Sequence, residues 1–105
     1  MAFKALFLAH APEADCEKHR SIIDTGRYKL FTVVVKSQDE ALKVAKSIYE
    51  TEKIDAILLC PGFTHSDAAE IFKALEGKVS VSVARGDGPS NKISQAVLQR
   101  EFFDK

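Results

Sequence analysis

The sequence has only two cysteines, Cys16 and Cys60. A framework of disulfides, as in small secreted domains, is excluded, and a reducing, cytoplasmic compartment is expected. Net charge is also lacking: fifteen Lys and Arg balance fifteen Asp and Glu, with no block of one sign. Such a chain has no basic footprint for DNA, RNA or an anionic membrane surface. No apolar run approaches the roughly 18 residues of a bilayer-spanning helix. The start, MAFKALFLAHAPEAD, has a short apolar stretch behind one lysine, but its pattern suits a core strand better than a signal peptide. Low-complexity tracts, repeats and linkers are missing too, so residues 1–105 read as a single domain.

What is present is an ordinary globular composition, 46% hydrophobic and 29% charged, sufficient for one core. Residues 3–9 are nearly all apolar except Lys4, which predicts a buried strand. Residues 10–26 place Pro12 near one end and Gly26 at the other, the punctuation of a short helix. Residues 28–36 are rich in Val, Phe and Thr and predict a second strand. Ser37 and Glu40 then suggest a capping box, ahead of Leu42, Ala45, Ile48 and Tyr49 at helical spacing.

Residues 54–59 predict a third strand, apolar on both faces apart from Asp55. A helix over residues 66–76 follows, with Ile71, Phe72 and Leu75 on one face and Gly77 at its end. Val79, Val81 and Val83 alternate with serines, the pattern of an edge strand. The loop RGDGPSN leads into a weakly amphipathic helix, capped by Ser90, and a tail bearing Phe102 and Phe103.

Strand and helix alternate throughout, so the expected fold class is α/β, with a mostly parallel four-stranded sheet. Right-handed crossovers and central first and third strands favour the flavodoxin-like order 2-1-3-4, with helices on both faces. The rival is a ferredoxin-like α+β layer with one bare sheet face. The apolar second face of the central strands argues against it.

In an open parallel sheet, ligands bind beyond the strand C-termini where the chain order reverses. That point falls between the first and third predicted strands, which end at His10 and Cys60. Lys36 and Arg85 end the neighbouring strands. The leading expectation is therefore a small cytosolic domain binding a small anionic molecule there. Arg85, Lys36 and the amides around Gly62 and Thr64 would hold the anion, while His10 and Cys60 line the pocket.

A second expectation is an enzyme with Cys60 as nucleophile, activated by a helix N-terminus, and His65 or His10 as base. The loop after Cys60 lacks the arginine of a Cys-x5-Arg phosphatase, since Ser66 stands there. A third is self-association as a homodimer, through the second predicted strand or through Phe102 and Phe103. A zinc set of Cys16, His19, Cys60 and His65 has suitable residue types, but its second spacing does not form a compact knuckle. RGDGPSN matches no phosphate-loop motif and reads as a turn into a helix.

The stretches DCEKHRSII, SQDEALKVAKSI, ILLCPGF and VSVAR, taken in order, resemble a small bacterial α/β family of similar length with no assigned activity. The resemblance covers most of the chain and rests on Lys18, His19, Arg20, Cys60, Gly62, Phe63 and Arg85. It implies the α/β fold, and it raises one alternative to a solvated EKHR face, in which His19 and Arg20 turn toward the strand ends. Two departures stand out: Pro61 replaces a second glycine, and GDGPSNKIS replaces a Gly-rich, His-containing stretch.

Overall fold

A computed structural model describes residues 1–103, the side chain of Phe103 excepted. The chain forms β1 (Phe3–His10), β2 (Arg20–Asp24), β3 (Tyr28–Val35), α1 (Gln38–Glu52), β4 (Ala56–Leu59), α2 (His65–Ala74), β5 (Ser80–Val83) and α3 (Gly88–Leu98). A π-helical turn, Gln99–Phe103, follows. The five strands lie in the order β2-β3-β1-β4-β5. All pairs are parallel except β2 with β3. The α/β class and the relative order of the four expected strands hold, and β5 is an edge.

The departure is in residues 11–26, which contain an extra strand instead of a helix. Ile22 and Ile23 are β-branched, and Asp24-Thr25-Gly26 turns the chain back into β3 as a hairpin. Asp24 Oδ1 accepts the Gly26 amide at 2.8 Å, and Gly26 takes φ +96°, a conformation that suits glycine. Asp15 closes the turn ahead of β2, accepting the amides of Lys18 and His19. Pro12 and Gly26 therefore bracket a turn and a strand. The second expected strand, now β3, is interior to the sheet, and β2 takes over its free edge.

The expected helix cover on both faces is also corrected. The steps β3 to β4 and β4 to β5 run in the same direction across the sheet, so right-handed crossovers put α1 and α2 on one face. There Leu6, Leu8, Phe31, Val33, Ile57 and Leu59 pack with Val44, Ala45 and Ile48 of α1 and Ile71 of α2. The opposite face has one buried residue among the strands, Ala5. Phe3, Tyr28 and Leu58 are exposed on it. One bare face was the rival's feature, but the connectivity remains that of the parallel arrangement.

Helix caps follow local sequence. Ser37 Oγ accepts the Glu40 amide, and Glu40 reaches one residue further back than expected, to the Lys36 amide. Among the described residues, no helix is long and apolar enough to cross a membrane.

Candidate functional site

Beyond the C-terminal ends of β1 and β4 lies a mostly apolar hollow of about 580 Å³. It sits where the strand order reverses, the expected place for a site. Ala9, His10 and Pro12 form one wall, Cys60, Pro61 and Gly62 a second, and Leu98 and Phe102 close it from the C-terminal end of the chain.

Gly62 sets the geometry of the loop after β4. A Cβ there would stand 3.6 Å from both Cys60 Sγ and His10 Cβ, so the backbone passes between the two side chains. Phe63 is buried and anchors the loop in the core, with its ring 5.3 Å from the His10 imidazole. The Phe63 amide returns to the Cys60 carbonyl at 3.2 Å. Among the described residues the Gly62 amide has no partner and remains an available donor.

The other expected site residues are placed differently. Thr64 is the N-cap of α2, with its hydroxyl accepting the Asp67 amide and its own amide donating to Asp67 Oδ2 at 2.9 Å. The expectation of a free Thr64 amide is corrected: an internal carboxylate already occupies that helix start. Arg85 is tied to the loop, donating from Nη1 to the Phe63 carbonyl at 3.0 Å and to the Pro61 carbonyl at 3.4 Å. Lys36 is exposed beside α1 and does not line the hollow. His65 is the first residue of α2, and among the described residues no hydrogen bond joins it to Cys60.

Cys16 lies elsewhere, in a smaller hollow of about 270 Å³ with Glu17, Arg20, Glu40 and Lys43. Burial, with Glu40 and Glu17 nearby, pushes its thiol up against an opposing pull from Arg20. His19 Nδ1 accepts the Asp15 amide, and Arg20 Nε donates to the Cys16 carbonyl at 2.7 Å. His19 and Arg20 thus serve the turn before β2 and do not line the strand-end hollow. The Cys16, His19, Cys60 and His65 set does not converge, and among the described residues no three His, Cys, Asp or Glu could hold a metal ion. In RGDGPSN the helix starts three residues earlier than Ser90 capping required, with Asp87 as N-cap. The Asn91 side chain fills the space against Gly86 where an anion would need the backbone open.

Sequence reading missed Pro12, Leu98 and Phe102 as lining residues. From sequence, Phe102 is legible only as an apolar residue of the tail, with a dimer contact as its expected role. It lines the hollow at the same chain's strand ends while staying 45% exposed, and the Phe103 part of that expectation lies outside the described side chains.

Searches of curated proteins and of solved structures return no match. A family model does match, over residues 3–99, a span that includes every strand and the loop bearing Cys60 and Gly62. The chain therefore belongs to the family of unknown function DUF6506.

Proposed function

We propose that this domain binds a small molecule with an apolar body and one anionic group in the hollow at the strand ends. The observation that carries this reading is the hollow itself: its volume of about 580 Å³ falls within the roughly 300–1,000 Å³ of small-molecule sites. Ala9, Pro12, Leu98 and Phe102 would take the apolar body. The Gly62 amide and the His10 imidazole would receive the anionic group, with Arg85 holding the loop that presents the amide. This narrows the anion expectation, since Thr64 is occupied and Lys36 stands apart.

The test is a thermal-shift screen of medium-chain and aromatic carboxylates against wild type and Gly62→Leu, whose side chain would grow between His10 and Cys60. Ligand at a hundred times its dissociation constant stabilises by about 2.7 kcal/mol. A shift in wild type that vanishes in a folded Gly62→Leu supports the reading. A panel that leaves wild type unshifted overturns it.

A second reading is supported by the flanking of Gly62: Cys60 as nucleophile, with His10 rather than His65 as its base. Alkylation of Cys60 at neutral pH should then slow in His10→Gln. Equal rates in the two proteins would remove His10 as the base.

A further inference from the structure

Strand β2 is an edge of the sheet, and all five of its residues are exposed. Edge strands are ordinarily protected by proline, an inward lysine, a bulge or a covering segment. The sequence RSIID has no proline or lysine, carries its charges only at its two ends, and places Ile22 and Ile23, 58% and 57% exposed, at the centre of the strand. The ladder with β3 shows which of its backbone groups are free. Thr25 donates to the Tyr28 carbonyl and Val34 to the His19 carbonyl, so the bonded positions of the hairpin are the odd-numbered ones, 19, 21, 23 and 25. Alternation then directs the amides and carbonyls of Arg20, Ile22 and Asp24 away from β3, toward the open edge.

We propose that this edge pairs with the same edge of a second copy, antiparallel about a two-fold axis at Ile22. In that register Ile22 faces Ile22, and Arg20 of each chain faces Asp24 of the other. These are the three positions whose backbone groups point outward, so the hydrogen-bonding parity and the side-chain register agree. The charges agree as well: a like-charged pair opposite would oppose association, whereas two Arg–Asp pairs favour it. Arg20 engages Cys16 through Nε, leaving its terminal nitrogens, and Asp24 engages Gly26 through Oδ1, leaving Oδ2. The self-complementary charge pattern selects a second copy over an unrelated extended peptide. An isologous interface requires this property.

The experiment measures mass by light scattering across a concentration series for wild type, Ile22→Pro, Arg20→Asp and Asp24→Arg, with circular dichroism to confirm folding. Proline is tolerated where an edge amide faces solvent, and the Ile22 amide takes no part in the β3 ladder. Wild type should approach twice the monomer mass as concentration rises, and Ile22→Pro should remain monomeric. Arg20→Asp and Asp24→Arg should each be monomeric alone, because each places like charges opposite one another, and their equimolar mixture should regain the doubled mass. A monomeric wild type at every concentration overturns the proposal. So does a dimer that survives Ile22→Pro, or a mixture of the charge variants that stays monomeric.

Discussion

Ile57 and Leu58 are neighbours on β4 with side chains on opposite faces of the sheet, which makes them a direct test of its one-sided cover. Ile57 is 1% exposed, between Leu6 of β1 and Val81 of β5, over the layer of α1 and α2. Leu58 is 42% exposed on the bare face. Replacing either by Ala removes three carbons, a transfer loss of about 2.4 kcal/mol if fully buried. At Ile57 the paired strands on both sides restrict collapse, and a void of roughly 80 Å³ adds up to about 2 kcal/mol. The expected cost of Ile57→Ala is therefore about 3–4 kcal/mol.

At Leu58 little more than half of the side chain leaves water and no closed void can form. The transfer loss falls to about 1–1.5 kcal/mol, an upper bound because unfolded chains already hide some apolar surface. Urea denaturation with a shared slope gives the difference directly as a shift in midpoint. The Ile57→Ala loss should exceed the Leu58→Ala loss by about 2 kcal/mol. Equal losses would refute the reasoning, because they would mean that the second face is covered in solution. A negligible loss at Ile57 would mean that β4 is not central.

Thr64→Ala should cost about 1 kcal/mol in the same denaturation assay, because it removes one half of the reciprocal box with Asp67 at the start of α2. Arg85→Ala should cost about 1 kcal/mol, reduced from the value of a buried charged hydrogen bond by solvent exposure, and should speed hydrogen exchange in the loop around Gly62. Glu52 provides a pH test: burial opposes its ionisation, but hydrogen bonds from Lys4 and Lys29 outweigh that and hold its pKa below the usual carboxylate range. Its stabilising contribution is complete above the unfolded-state pKa and is lost as pH falls through the folded value. The gap in melting temperature between wild type and Glu52→Gln should therefore close on acidification, and a gap that widens would reverse the assignment.

Local rules made much of this protein readable from its residues. Apolar runs marked β1 and β4 as central, valine alternation marked β5 as an edge, and capping residues located α1 and α2 within one or two positions. These signals depend on neighbours within one or two turns, and the strand order follows from them through crossover handedness. The position of the hollow was equally legible, because His10 ends β1 and Cys60 directly follows the adjacent β4.

Tertiary context decided the rest. Residues 20–24 form a strand because β3 offers a partner, and proline and glycine at the ends of the segment are compatible with either outcome. Both interior helices lie on one face because two successive crossovers step the same way, a property of the path and not of any segment's periodicity. Thr64 and Arg85 carry the right chemistry for an anion, but the fold engages them with Asp67 and with the loop carbonyls. The hollow unites residues near 10, 61 and 100, a combination with no local signature, because only the folded sheet and the returning C-terminal helix bring those backbones together.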